Sequence, residues 1–283
     1  MMPKPHSSGS LILRSRGVAA ERIRTIQERV NAALMNGPGH LARASAVARG
    51  LVDPVLAVVF PSACPACGRL LARPRRGPLC EPCWAGLPRH RAATCRCGLP
   101  LAAGVSACPR CRRARQPFAA GASLGPYEGS LRVVLHQLKY AGRRRAAARL
   151  AEALLEEPAV RALVATSDVL VPVPLHPRRL RERGFNQSAL LAREIARRAG
   201  KPTCPDALVR RLDTVPQAGL SAAARRRNVR DAFAVRRRAS VAGRTVVLVD
   251  DVLTTGATAL ACGRRLGEAG AREVRLLTVA RVV

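Results

Sequence analysis

The stretch Val246-Val-Leu-Val-Asp-Asp-Val-Leu-Thr-Thr-Gly-Ala-Thr258 decides the fold of this chain. Its aliphatic run predicts a buried strand over Arg244–Val249, which delivers two adjacent carboxylates, Asp250 and Asp251. A Thr- and Gly-rich turn follows at once and leads into a predicted helix over Ala257–Ala269. Backbone N–H groups at such a turn bind a phosphate dianion, and the carboxylates can accept hydrogen bonds from sugar hydroxyls. The stretch therefore indicates a site for a ribose 5-phosphate.

Other phosphate motifs fit this stretch less well. It has no Gly-Lys-Thr, which a Walker loop requires, and no Gly-x-Gly spacing, which a dinucleotide fingerprint requires. A plain strand, turn and helix with surface acids is the remaining alternative. It explains the acids poorly, because two carboxylates at the end of a buried strand are costly without a partner.

Strands and helices alternate around this stretch. The further predicted strands are Asp168–Val173 and Glu273–Val279, and the further predicted helices are Leu131–Tyr140, Arg143–Glu157 and Ser188–Arg198. Pro158 is expected to stop the second of these helices, and a connector with Gly121, Gly125 and Gly129 is expected before the first. The alternation predicts an α/β fold with a parallel sheet flanked by helices.

Eight cysteines form four close pairs before this α/β region. The pairs are Cys64 with Cys67, Cys80 with Cys83, Cys95 with Cys97, and Cys108 with Cys111. Two such pairs can place four thiolates around one zinc ion, which leaves no open position for catalysis, so the metal would be structural. The third pair has a single intervening residue, so the second site could be distorted or empty. Disulfides are the alternative, which a reducing cytosol disfavours.

Composition leaves the partner open. The chain has 283 residues and a formal net charge of +31, which suits a polyanion such as nucleic acid. Lys occurs only at Lys4, Lys139 and Lys201, however, and an Arg- and Ala-rich bias also arises in GC-rich genomes. Aromatic residues make up 2% of the chain, so no stacking platform for single strands is evident.

Three regions are expected along the chain. Residues 1–50 form a disordered or partly helical tail, 51–115 the cysteine-rich double zinc ribbon, and 116–283 the α/β domain. The apolar stretch at Leu51–Ala63 contains Asp53 and is too short to span a bilayer, and no signal peptide is evident. We therefore expect a soluble cytoplasmic protein.

Three motifs in this order resemble the ComF family. They are the cysteine pairs, the segment Arg183-Gly-Phe-Asn-Gln-Ser188 with its following Thr214-x-x-Gln217-x-x-Leu220, and the sequence DDVLTTGAT. The resemblance implies a type I phosphoribosyltransferase fold with a small N-terminal zinc-ribbon module. It also implies that Asp250 and Asp251 hold the ribose of phosphoribosyl pyrophosphate (PRPP). The implied phosphate ligands are Thr254, Thr255, Gly256, Ala257 and Thr258.

The resemblance assigns further roles outside this motif. A pyrophosphate-binding loop, with an unusual peptide geometry in many relatives, would include Pro174, Leu175, His176, Arg178 and Arg179. A solvent-exposed turn is the alternative for His176. The segment that carries Thr214, Gln217, Leu220, Arg225 and Asn228 would close over the sugar as a lid. Lys139 could approach substrate or form a salt bridge, and Asn186 and Ser188 could cap a helix.

The expected activity is transfer of the phosphoribosyl group of PRPP, bound with magnesium, to an acceptor that the motifs do not identify. The substitution takes place at the anomeric carbon and releases pyrophosphate. ComF proteins are linked to DNA uptake, so single-stranded DNA and the uptake machinery are expected partners. The alternative is a non-catalytic competence factor that senses a nucleotide sugar and binds single-stranded DNA.

Overall fold

The computed structural model describes residues 62–113, 116–140, 144–211 and 232–282. The predicted N-terminal tail, and the predicted lid from Thr214 to Asn228, lie outside these residues. The domain boundary predicted at residue 50 also lies outside them, and the boundary at residue 115 stays a prediction. Ala63–Leu71 and the described residues from Arg75 onward belong to one compact unit, which contains both the cysteine pairs and the α/β region.

Four parallel strands form the central sheet, as the alternating pattern predicted. In chain order the strands are β1 (Ala120–Pro126), β2 (Val169–Pro172), β3 (Leu208–Arg210), β4 (Phe233–Val235), β5 (Thr245–Leu253) and β6 (Glu273–Arg281). The order in the sheet is β1-β6-β5-β2, while β3 and β4 pair with each other as a separate antiparallel ribbon. The acid pair lies on β5, which has a neighbour on each side.

Helices cover both faces of the sheet. They are α1 (Glu81–Ala85), α2 (Pro109–Arg113), α3 (Gly129–Tyr140), α4 (Ala146–Glu156), α5 (Pro158–Ala165), α6 (Pro177–Arg183), α7 (Gln187–Ala199) and α8 (Ala257–Glu268), with short 3-10 turns at Pro74–Arg76 and Arg238–Ser240. Side chains alternate along β5, so Val247 and Val249 join the core under α3, α4 and α7, whereas Val246 and Leu248 join the core under α8. No helix among the described residues combines the length and apolar character that crossing a bilayer requires.

Several predicted elements need correction. The expected connector is strand β1, whose Gly121 and Gly125 hid the strand pattern. The helix stop predicted at Pro158 is confirmed, since α4 ends at Glu156. Pro158 then begins a further helix, α5, which was not predicted, because a proline in the first turn of a helix lacks only an N–H that has no partner there. Strand β5 continues past Val249 to Leu253, since β6 pairs with it along that whole length.

The described residues from Ala63 to Arg113 that belong to the compact unit are called the cysteine module here. This module packs on strand β1. His90 N donates to Leu124 O at 2.9 Å, and Thr94 Oγ1 donates to Gly121 O at 2.9 Å. Ser123 Oγ donates to Gly98 O at 3.1 Å. Strand β1 is at the end of the strand order, so these bonds attach the module to the outermost strand of the sheet.

Candidate functional site

The acid pair lies on the part of β5 that extends beyond the end of its neighbour β2. Val173 N donates to Val249 O at 2.9 Å, and β2 ends just before that bond, at Pro172, so Asp250 and Asp251 have no partner residue on β2. Their side chains are buried, with 9% and 4% of the residue surface exposed. A crevice at the carboxyl ends of parallel strands is the usual ligand site of an open α/β sheet.

Different partners hold the two carboxylates. Asp250 Oδ1 accepts hydrogen bonds from Ser188 Oγ at 3.0 Å and from Asp251 N at 2.9 Å. Asp251 Oδ2 lies 2.6 Å from Lys139 Nζ in a buried ion pair. The salt bridge expected as one alternative for Lys139 is therefore present, and it directs the ammonium group into the acid pair.

The charges of this cluster perturb one another. Burial, reinforced by the neighbouring charge of Asp251, raises the pKa of Asp250 to about 7. Burial by itself would lower the pKa of Lys139, but the charge and hydrogen bond of Asp251 outweigh that effect and raise it. Two carboxylates and one ammonium group thus share a buried site.

The phosphate turn, meaning residues Thr254–Thr258, joins the end of β5 to α8. Gly256 has φ +73°, a left-handed conformation that suits glycine, and no side chain caps the helix that begins at Ala257. Thr255 Oγ1 accepts a long hydrogen bond of 3.5 Å from Ala257 N. The helix start therefore presents backbone N–H groups beside the acid pair, in an arrangement suited to a phosphate.

The predicted pyrophosphate loop follows β2. Pro174 is buried, Leu175 and His176 are partly buried, and Arg178 is exposed. His176 Nδ1 accepts a hydrogen bond from Arg178 N at 3.3 Å and caps α6, while Arg178 Nε donates to Glu182 Oε1 at 3.0 Å. All peptide bonds among the described residues are trans, so the unusual geometry expected here is not seen. A role in binding pyrophosphate stays a prediction.

The segment that follows α6 supplies a contact to the acid pair. Asn186 Oδ1 accepts from Ser188 N at 3.0 Å and from Ala189 N at 3.4 Å, so it is the N-cap of α7. Asn186 Nδ2 also donates to Val173 O at 3.0 Å, which fixes the helix start against the end of β2. Sequence reasoning offered both Asn186 and Ser188 as caps. The structure gives the cap to Asn186 and leaves the Ser188 hydroxyl to donate to Asp250.

The first cysteine cluster comprises Cys64, Cys67, Cys80 and Cys83. Its four sulfur atoms lie within 4.8 Å of one another, and the Sγ atoms of Cys67 and Cys80 are 3.5 Å apart. Tetrahedral zinc with Zn–S bonds of about 2.3 Å places its sulfurs about 3.8 Å apart, so the donor set fits this ion. Burial would raise the pKa of Cys64, but hydrogen bonds from backbone N–H groups outweigh burial and lower it to about 6.

The second cysteine cluster comprises Cys95, Cys97, Cys108 and Cys111. All four are buried and their sulfurs lie within the same 4.8 Å limit, with 3.7 Å between Cys97 and Cys108. The short third pair therefore does not prevent a compact four-sulfur arrangement. Cys108 N donates to Cys95 Sγ at 3.4 Å, and such bonds outweigh burial to lower the pKa of Cys95 to about 7.

Two arginines connect the second cluster to β6 and to the phosphate turn, and neither contact was predicted. Arg281, which ends β6 and is 5% exposed, donates from Nη1 to Cys97 O at 3.0 Å. Arg110, which lies between two cysteines of the cluster, donates from Nη1 to Thr255 O in the phosphate turn. In so arginine-rich a chain, no local pattern distinguishes these two residues from the others.

The chain matches two family models. The phosphoribosyl transferase domain matches residues 186–282, and the double zinc ribbon domain matches residues 55–112. The fold and the two matches define a phosphoribosyltransferase-type domain preceded by a double zinc ribbon, which confirms the predicted fold class.

Curated relatives cover most of the chain. The DNA utilization protein YhgH of Salmonella typhimurium is 36% identical over 231 residues, which are 80% of this chain and 100% of that protein. Competence protein F of Haemophilus influenzae is 29% identical over 189 residues, which are 65% of this chain and 82% of that protein. The chain belongs to the ComF family, as its motifs predicted.

Solved structures give weaker matches. The glutamine PRPP amidotransferase from B. subtilis is 28% identical with a TM-score of 0.32, over 47% of this chain and 25% of that one. An adenine phosphoribosyltransferase is 19% identical with a TM-score of 0.32, over 53% of this chain and 75% of that one.

Proposed function

We propose that this protein binds PRPP with magnesium and transfers its phosphoribosyl group to an acceptor, releasing pyrophosphate. One observation carries the proposal: a buried acid pair on β5 is followed directly by a turn that begins a helix whose N-cap residue, Gly256, makes no side-chain cap. Asp250 and Asp251 accept hydrogen bonds from the ribose hydroxyls, and the phosphate turn binds the 5-phosphate. The match to the phosphoribosyl transferase domain includes all of these residues.

The residues around the acid pair support this role. Lys139 offsets the negative charge of Asp251, and Ser188 orients Asp250 through its hydroxyl group. Both contacts hold the carboxylates before ligand arrives, so less rearrangement is needed on binding. The predicted loop from Pro174 to Arg178 would contact the pyrophosphate. Val173, the residue before this loop, donates to Val249 O, next to Asp250.

Magnesium fits the donor set at this edge of the sheet. Mg²⁺ takes carboxylate oxygens and commonly completes its shell with substrate phosphates and water, so Asp250 and Asp251 are the residues that would hold it. The ion would supply positive charge to the departing pyrophosphate. In the transfer, the bond from the anomeric carbon to the pyrophosphate oxygen breaks and a bond to the acceptor's nucleophilic atom forms.

Calorimetric titration with PRPP and magnesium tests the binding. We expect the double variant Asp250→Asn with Asp251→Asn to lose binding at least about 100-fold, because each carboxylate makes charge-assisted hydrogen bonds to the sugar. Asp206→Asn is the matched control, since that carboxylate is partly exposed and pairs with Arg237 outside the acid pair. Unchanged affinity in the double variant, with the fold retained, would exclude the assignment.

A second candidate function is single-stranded DNA binding by a nucleotide-sugar sensor that performs no transfer. The net charge of +31 and the names of the relatives favour it. Release of pyrophosphate in the presence of PRPP and trial acceptors separates the two candidates. DNA binding, if present, should weaken steeply as salt concentration rises, because arginines displace counterions from the phosphates.

A further inference from the structure

Arg110 links the second cysteine cluster to the phosphate turn. It lies on α2 between Cys108 and Cys111, and its Nη1 donates to the carbonyl oxygen of Thr255. The guanidinium group also lies over Gly256, because a Cβ atom placed there would be 3.5 Å from Nη1 and 3.9 Å from Nη2. Its positive charge is therefore at the N-terminus of α8, the end of a helix that binds anions.

The position of Arg110 depends on the second cysteine cluster. Helix α2 has five residues, which is too short to be stable by itself. Contacts with the rest of the cluster hold it: Arg96 Nη2 donates to Cys111 O at 2.8 Å, and Arg281 anchors Cys97 to the end of β6. A metal ion bound by the four thiolates would fix Cys108, directly before α2, and Cys111, the middle residue of α2. The backbone of Arg110, which lies between them, would be fixed as well.

We propose that Arg110 is a phosphate-binding residue, and that metal occupancy of the second cysteine cluster controls the affinity of the phosphate turn. The inference rests on the proposed function, since it needs a sugar phosphate at this turn. Arg110 can keep one N–H on Thr255 and offer its other donors to phosphate oxygens. Coupling between two ligands is reciprocal, so bound phosphate should strengthen metal binding by the same factor.

Calorimetry with ribose 5-phosphate measures the contribution of Arg110. Arg110→Ala should lower the affinity by about 10- to 100-fold, the range for hydrogen bonds to a charged group. Arg110→Lys should lower it less, because lysine keeps the charge but loses the forked donors. Arg113→Ala is the control, since this residue carries the same charge on the same helix but is exposed, and its affinity should equal that of the wild type.

Competition with a zinc chelator measures the coupling without any turnover. Ribose 5-phosphate should raise the zinc affinity of the second cluster in the wild type and in Arg113→Ala, but not in Arg110→Ala. The first cluster should not respond, because its contacts are elsewhere: Arg149 donates to Glu81 of α1 at 2.9 Å and lies 4.5 Å from the centre of the Trp84 ring. Ribose 5-phosphate should therefore change the affinity for at most one of the two zinc ions.

The outcomes distinguish this inference from the proposed function. Normal binding by Arg110→Ala would overturn the phosphate role, and tighter binding would show instead that Arg110 blocks the turn. If ribose 5-phosphate leaves the zinc affinity of the wild type unchanged, the coupling is overturned. If the wild type binds neither ribose 5-phosphate nor PRPP, the proposed function fails, and the inference fails with it.

Discussion

At the scale of single residues, the acid pair is asymmetric. Asp250 accepts from two neutral donors, a hydroxyl group and a backbone N–H, whereas Asp251 pairs with the ammonium group of Lys139. Burial and the neighbouring charge of Asp251 raise the pKa of Asp250 to about 7. The charge of Asp250 therefore depends on pH near neutrality.

Removal of Lys139 should leave Asp251 buried without its counter-ion. We expect Lys139→Met to destabilise the fold by about 3 kcal/mol near neutral pH, because the pair exposes only 18% and 5% of its side chains. Adding Asp251→Asn should recover most of that loss. Denaturant unfolding of both single variants and the double variant measures the coupling, and strictly additive losses would contradict the ion pair's role.

Asp250 should make stability depend on pH. Because its pKa rises from 3.8 in the unfolded chain to about 7 in the fold, its contribution is full below the unfolded value and is lost as pH rises through the folded one. Asp250→Asn removes this dependence. The free energy of unfolding of the variant, relative to that of the wild type, should therefore increase by about 1–3 kcal/mol from about pH 5 to about pH 8. Denaturant unfolding measures both proteins at the two pH values. A difference between variant and wild type that is the same at both values would refute the raised pKa.

At the scale of elements, the junction between the cysteine module and β1 depends on glycine. A Cβ atom at Gly125 would lie 1.9 Å from Pro88 O, and one at Gly121 would lie 2.5 Å from Arg96 O. Each contact is with a backbone atom, which cannot rotate away as a flexible side chain can. The close approach explains why these positions in an edge strand have no side chain.

Gly125→Ala should therefore force the module away from β1. We expect a loss of at least about 2 kcal/mol, since overpacking of a tight contact costs that much or more. Gly267→Ala is the control, because a Cβ atom there meets nothing within 4 Å on helix α8, and it should be neutral or stabilising by up to about 1 kcal/mol. Thermal or denaturant unfolding compares them, and equal stability of the two variants would disprove the steric argument.

The same elements show how far sequence reasoning reached. Periodic apolar residues predicted β5, α7 and α8 within a few positions, since buried faces leave a clear pattern. Strand β1 was missed because its glycines serve a contact with a segment about 30 residues earlier, which single-sequence patterns do not show. Helix α5 was missed because a proline is found both after the end of a helix and in the first turn of one, so Pro158 did not indicate that a second helix follows.

At the scale of the whole molecule, the cysteine module belongs to the compact unit that contains the candidate site. It covers the β1 edge of the sheet, and its second cluster carries Arg110 to a turn 145 residues away in sequence. The motif on β5 predicted which residues form the acid pair and the phosphate turn. The ion pair with Lys139 was one of two alternatives, and the Arg110 contact could not be predicted, because long-range packing decides both.

The most direct measurement of the central claim is a crystal structure of the protein with ribose 5-phosphate bound. We predict that the phosphate accepts hydrogen bonds from backbone N–H groups of Thr254–Thr258, with the ribose hydroxyls on Asp250 and Asp251. A phosphate bound elsewhere, with this turn empty and the carboxylates still held only by Lys139 and Ser188, would contradict the account.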